Sequence, residues 1–131
     1  MGILGIGVDI VHLPRILSLV QRRSAEKLAK RILSTQELAD WKKISGKPES
    51  QQAQFLAVRW SLKEAAYKAL YPAIIPTWKE LTFHPLNASA TMKPCLVYNP
   101  ASGVDCNLKL HSSVSHDGDY VFTSILAEHL M

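Results

Sequence analysis

The sequence predicts an α+β fold in which an antiparallel sheet packs with one long central helix. Three features carry that expectation. Gln51 to Leu70 contains no Gly or Pro and is rich in Ala, Leu, Lys and Glu, the composition of a long helix. Leu4 to Ile10 alternates apolar residues with Gly5, Gly7 and Asp9, the period of a strand. Beyond Tyr71-Pro72, Pro76, Pro85, Pro94 and Pro100 divide the chain into short β-rich segments, so helices concentrate in the first half and strands in the second.

In the first strand Leu4, Ile6, Val8 and Ile10 form one apolar set, expected to be the packed face, and Asp9 falls on the glycine side. Glycines beside a carboxylate leave room for a ligand or another backbone to come close. Pro14 suits the first turn of a helix beginning near Leu13, in which Leu13, Ile16, Leu17 and Val20 make an apolar stripe with Arg15, Arg22 and Arg23 off it. Leu28, Ile32 and Leu33 extend that pattern through Lys30-Arg31. Ser34 and Glu37 have capping-box spacing and open a short helix over Leu38 and Trp41, ended by Gly46-Lys-Pro-Glu-Ser50. In the long helix Phe55, Val58, Leu62, Ala65 and Ala69 form the expected core stripe. Leu81–Phe83, 94–98, 108–115 and 120–127 read as strands, the last two joined by a hairpin turn at Asp117-Gly-Asp119.

A chain of 131 residues fits a single domain, 1–131. Apolar residues make up 47% and charged residues 20%, the balance of a globular protein. No stretch approaches the roughly 20 consecutive apolar residues of a membrane span. The apolar start lacks a preceding basic region and runs into Asp9 and Pro14, so it reads as a strand and not as a signal peptide. Cys95 and Cys106 form no zinc pattern, and a reducing compartment is the simplest home. The net charge of +4 is unevenly placed: residues 15–68 hold 12 of the 15 Lys+Arg against five acids. Such a region suits phosphates, nucleic acid or an acidic protein, and charge alone does not choose between them.

Within the long helix Glu64 and Lys68 stand one turn apart on one face. Alone this is an ordinary surface ion pair. A carboxylate beside a cation can also serve a phosphate ligand, whose charge a hard divalent ion and basic side chains neutralise. Mg²⁺ takes oxygen ligands, one or two carboxylates with phosphate and water, and Asp9 with Glu64 is the pair available.

Gly5 to Ile16 (GIGVDIVHLPRI), Arg59 to Leu70 (RWSLKEAAYKAL) and Val114 to His116 (VSH), in this order, resemble the holo-acyl-carrier-protein synthase family of 4′-phosphopantetheinyl transferases. The resemblance implies transfer of phosphopantetheine from coenzyme A to a carrier-protein serine, with release of adenosine 3′,5′-bisphosphate. It assigns Mg²⁺ to Asp9 and Glu64 and places Lys68 near the transferred phosphate. It sets Ser115 and His116 against the coenzyme A nucleotide and makes Arg59 and Lys63 candidates for phosphate contact. For the base that takes the serine proton, a metal-ordered water is preferred over Glu64 itself. Arg15 matches an arginine that binds the acidic acyl carrier protein, with Arg22 beside it. Relatives of the short type form homotrimers with active sites between subunits.

His12 replaces a usual acidic residue, Tyr71-Pro-Ala-Ile-Ile-Pro-Thr-Trp78 replaces a Gly-rich turn, and Met92 stands where a Gly usually precedes Lys93-Pro94. These departures look like fungal mitochondrial-type members, giving a mitochondrial matrix or cytoplasmic location as the expectation. Two other readings are a small basic RNA-binding domain using Arg22 to Lys47 and an inactive carrier-binding trimer. The first has only Trp41 as an interleaved aromatic, and the second is at odds with an intact Asp9, Glu64 and Lys68. The preferred reading therefore involves neither nucleic acid nor membrane.

Overall fold

The computed structural model describes residues 2–85 and 93–130, so Met92 lies outside the described residues. The chain runs β1 (Gly2–His12), α1 (Leu13–Arg23), α2 (Ala25–Ile32), α3 (Thr35–Ile44) and α4 (Glu49–Leu70). A single 3₁₀ turn (Trp78–Glu80) then leads to β2 (Leu81–His84), β3 (Cys95–Tyr98), β4 (Leu108–Asp117) and β5 (Tyr120–His129). The main sheet is antiparallel in the order β1-β5-β4, and β2 pairs with β3 in a separate ribbon. This is the α+β arrangement expected, with α4 lying against β1 and β5.

The outward and inward faces of β1 are the reverse of the expected ones. Ile6, Val8 and Ile10 are exposed, at 66%, 46% and 60%, and Ile3 joins them across a bulge between Ile3 and Gly5. The glycine side packs instead. A Cβ at Gly5 would run into the carbonyl oxygen of Ala69, and one at Gly7 into that of Ala65 with the Ala69 amide nitrogen only 2.8 Å away. A helix with small residues at Ala65 and Ala69 meets a strand with no side chains, and the two backbones come together. Of the two uses open to those glycines, the approach of another backbone is the one realised.

The helix α4 begins at Glu49, after Pro48, and ends at Leu70. Leu62, Ala65 and Ala69 of the expected stripe are buried, whereas Phe55 and Val58 are half-buried and Leu56, Ala57 and Ala66 take core positions. The helix is packed from more than one side, which is why a single stripe underestimates its buried surface. The apolar pattern read as a continuation of α1 is a separate helix. Ser24 turns the chain with φ 108°, a value few non-glycine residues adopt, and its hydroxyl accepts from the Lys27 amide at 3.4 Å. The capping box at α3 forms as expected: the Glu37 amide donates to the Ser34 hydroxyl, and Glu37 Oε1 accepts from the Ser34 amide at 2.9 Å. Gly118, at φ 55°, turns the β4–β5 hairpin.

Gly7→Ala should lower the free energy of unfolding by about 1–3 kcal/mol or more through overpacking, whereas Gly46→Ala, which meets nothing within 4 Å, should not. Urea unfolding of the two variants measures the contrast.

Candidate active site

Close contact between β1 and α4 brings the functional groups together. Asp9 lies on the inward face of β1, two residues after Gly7, and meets α4 where Glu64 and Lys68 flank the small residues that β1 approaches. The Lys68 ammonium donates to the Val8 carbonyl at 2.9 Å and to Asp9 Oδ1 at 3.3 Å. An ammonium has three N–H donors, so one remains for a ligand. The Lys68 side chain is 53% exposed, while that of Asp9 is 15% exposed.

The second Asp9 oxygen, Oδ2, is buried and has no hydrogen-bond partner. A buried carboxylate oxygen without a donor is costly unless a cation takes it up. Glu64 is half-buried, and its carboxyl is pushed above the ordinary 4.5 by burial first and repulsion from Asp9 second, against attraction from Lys68 and Arg15. Two neighbouring carboxyls, Glu64 pushed toward its protonated form in part by Asp9 and Asp9 with an orphaned oxygen, fit a hard divalent cation completed by phosphate and water. The chemistry of this donor set suits Mg²⁺. Among the described residues no group of three or more His, Cys, Asp or Glu gathers, here or elsewhere, so the protein offers two carboxyls and leaves the other ligand places to phosphate and water.

Beside Glu64 opens a cleft of about 320 Å³, lined by Lys63, Tyr67, Pro76, Thr77, Trp78 and Leu81. The segment that replaces a Gly-rich turn thus supplies one of its walls. A second groove of about 380 Å³ runs between α1 and α2, where Arg15, Arg23, Lys27 and Arg31 surround Leu19, Leu28 and Trp60. The two meet at a pair of indoles: the Trp60 and Trp78 rings lie 5.3 Å apart at 48°. Arg15 therefore belongs both to the basic groove and to the electrostatic surroundings of Glu64. Arg22 is exposed on α1 next to Arg23.

Arg59 and Lys63 do not do what was expected of them. Both heads turn into the core, where Glu37 is fully buried. Lys63 Nζ donates to Glu37 Oε1 at 2.5 Å, to the Ile32 carbonyl at 2.6 Å and to the Trp78 carbonyl at 3.0 Å, which uses all its protons. Burial pulls the Lys63 ammonium below the usual lysine range, against Glu37. Arg59 stacks its guanidinium 3.5 Å from the Phe55 ring centroid, lies 3.9 Å from Glu37 Oε2 and is pushed down to about 10, chiefly by burial. Neither is placed to meet a phosphate. Periodicity could not warn of this, because only the three-dimensional position of Glu37 tells which lysines of a basic helix face inward. Glu37 itself was legible only as a capping residue.

Ser115 and His116 are exposed near the end of β4, opposite Phe122 and Val121 of β5. Because β5 lies between β4 and β1, they stand two strands, about 10 Å, from β1. Alternation sends them to opposite faces, His116 toward the face of Asp9 and Ser115 toward that of Ile10. Within one protomer they are not brought to the Asp9, Glu64 and Lys68 group.

No helix among the described residues is long and apolar enough to cross a membrane. A profile of the 4′-phosphopantetheinyl transferase superfamily matches residues 5–123. The chain is 33% identical over 128 residues to a holo-[acyl-carrier-protein] synthase of Mycoplasmoides gallisepticum, covering 98% of this chain and 99% of the relative. With a holo-[acyl-carrier-protein] synthase of Geobacillus sp. it is 36% identical over 130 residues, covering 98% of each. The fold is similar to the crystal structure of Helicobacter pylori holo-[acyl-carrier-protein] synthase in complex with coenzyme A, with a TM-score of 0.69, 25% identity, and coverage of 94% of this chain and 99% of that one. These relatives are bacterial, and the expectation of a fungal mitochondrial-type member gains no support from them. With the profile spanning Gly5 to Thr123 and both curated relatives aligned over nearly their whole length, the chain belongs to the holo-acyl-carrier-protein synthase family of the 4′-phosphopantetheinyl transferase superfamily.

Proposed function

We propose that the protein transfers the 4′-phosphopantetheine group of coenzyme A to a serine hydroxyl of an apo-acyl carrier protein. The observation that carries the reading is the meeting of Asp9, with its orphaned buried oxygen, and Glu64 and Lys68 across the β1–α4 contact. The names of the curated relatives and the coenzyme A bound in the Helicobacter pylori structure support the substrate pair.

In the reaction the serine Oγ forms a bond to the pantetheine-side phosphorus and the bond from that phosphorus to the bridging oxygen breaks. The leaving group is adenosine 3′,5′-bisphosphate. Asp9 and Glu64 would hold Mg²⁺, which when bound neutralises charge on the pyrophosphate. Lys68, fixed to Val8 and Asp9 by two of its N–H groups, directs the third at a phosphoryl oxygen. The cleft beside Glu64 takes the pantetheine arm along Tyr67 and Trp78. A water beside Glu64 takes the serine proton.

The basic groove is the docking surface for the carrier protein. Its four cationic side chains surround Leu19, Leu28 and Trp60, a mixture that suits the acidic and apolar sides of an amphipathic helix. Single-stranded RNA asks instead for exposed aromatic faces, and Trp41 is buried. Burial of Trp41 thus removes the one aromatic that favoured the RNA-binding alternative. The assembly is a homotrimer joined through the exposed Ile3, Ile6, Val8 and Ile10 face, which continues across β5 at Phe122. A neighbouring protomer then supplies Ser115 and His116 to the nucleotide, a reading supported by their separation from Asp9 within one chain.

Incubation with coenzyme A, Mg²⁺ and an apo-carrier protein should add one phosphopantetheine to the carrier, read by intact-mass spectrometry; an unchanged carrier mass would overturn the reading. Asp9→Ala and Glu64→Ala should each lower kcat/KM by about 10²-fold or more, and full activity with a chelator present would remove the metal from the reaction. Arg15→Glu should raise KM for the carrier and leave that for coenzyme A nearly unchanged; equal loss of both would remove Arg15 from docking.

The raised Glu64 carboxyl fixes a sign in pH. Its protonated form is favoured by folding, so its contribution to stability is present below 4.5 and declines as pH rises through the elevated folded-state value. In the metal-free protein, carboxyl ¹³C titration should place the Glu64 midpoint above 4.5. Asp9→Asn should move that midpoint down by removing repulsion, and Lys68→Met should move it up by removing attraction; the opposite order would refute the charge arrangement.

A further inference from the structure

Lys63 and Glu37 form a buried ion pair to which the transfer chemistry assigns no part. Stability alone is a weak reason to bury one, because apolar side chains of similar volume often do as well. What distinguishes this pair is what it joins. Lys63 immediately precedes Glu64 on α4, and its third hydrogen bond goes to the backbone carbonyl of Trp78, the residue that forms the opposite wall of the cleft. Its other two hold the C-terminal carbonyl of α2 at Ile32 and Glu37 at the start of α3. Glu37 in turn accepts from the Phe83 amide at 3.1 Å, fixing β2 just beyond the cleft wall, and from the Ser34 amide. The Trp78 indole is held on its other side by Trp60, one turn before Glu64 on α4. Three hydrogen bonds that tie the ends of α2 and α3 and the Trp78 wall to the Glu64 turn of α4 thus converge on the Lys63 ammonium.

We propose that the Lys63–Glu37 pair is a positioning device, which holds the Trp78 wall at a set distance from the Glu64 turn of α4 so that the pantetheine arm enters beside the carboxylate pair. This rests on the function proposed above. The pair touches no substrate; it acts through Trp78 and Glu64. The groove's cationic side chains, Arg15, Arg23, Lys27 and Arg31, make no hydrogen bond to the pair, and the pair touches the groove's frame only at the Ile32 carbonyl, the last residue of α2, so the effect falls on coenzyme A more than on the carrier.

The test compares Glu37→Gln, which keeps shape and an acceptor oxygen, with Lys63→Met/Glu37→Gln, which removes both charges of the pair; in both variants the buried Arg59 guanidinium, 3.9 Å from Glu37 Oε2, loses the same counter-charge. Leu110→Ala, a core deletion on β4 away from the cleft, serves as a control for lost stability. Coenzyme A affinity is read by calorimetry, alongside kcat and KM for each substrate and the melting temperature. The single variant should weaken coenzyme A binding about threefold and the double variant about tenfold, with a comparable fall in kcat. Carrier KM should stay within about twofold, and Leu110→Ala should lose melting temperature with coenzyme A affinity unchanged. If the double variant does not fold, Glu37→Gln carries the comparison. Wild-type affinity and kcat in every folded variant, or an equal loss in Leu110→Ala, would overturn the proposal. A wild-type protein that binds coenzyme A but transfers nothing would instead overturn the function on which it rests.

Discussion

The site depends on how closely β1 can approach α4. Two strand residues without side chains, Gly5 and Gly7, face two alanines, Ala65 and Ala69, and the resulting contact is backbone against backbone. Only at that separation can a lysine on the helix reach the Val8 carbonyl and the Asp9 carboxyl with one ammonium. The acidic pair and the nearby cation are consequences of a packing geometry in which no atom could be added. Such an interface is stiff, because a close-packed contact has no slack to take up a shift. Rigidity here serves a reaction in which the protein contributes position and charge far more than covalent chemistry.

Charge is handled in two ways within four helical turns of α4. At its outer side Glu64 and Lys68 remain partly in water, where a ligand can share their fields. At its inner side Arg59 and Lys63 surrender their hydration to Glu37, and burial lowers the proton affinity of both. The low dielectric that makes this inner cluster expensive also makes it specific, since a shifted helix would strand an uncompensated charge. The cluster joins α2, α3, α4 and β2, elements otherwise in modest contact.

Much of the fold was legible because it rests on local rules. The long helix declared itself by composition, the α3 start by its capping box, and the final hairpin by Asp-Gly. What sequence periodicity could not give was which side of β1 faces inward. An apolar row is read as core because burial of apolar area is favourable, yet here the core side is the one with glycines, since α4 contributes the apolar atoms. For the site, Asp9, Glu64 and Lys68 were identifiable by type and order, although their meeting needed the fold. Arg59 and Lys63 misled for a physical reason: a cation on a basic stretch looks solvated until a buried carboxylate such as Glu37 is placed opposite it.

The outward row of Ile3, Ile6, Val8 and Ile10 bears on what the word stability means for this chain. Aliphatic area left on water is unfavourable by roughly 25 cal/mol per Å², and whatever covers the row acts on the folded form alone. Where the cover is another copy of the chain, as in the homotrimer proposed above, mass action couples unfolding to the amount of protein in the tube. Under that coupling a thermal midpoint measured at one dilution describes a mixture and not a molecule, and two laboratories working at different concentrations would rightly obtain different values.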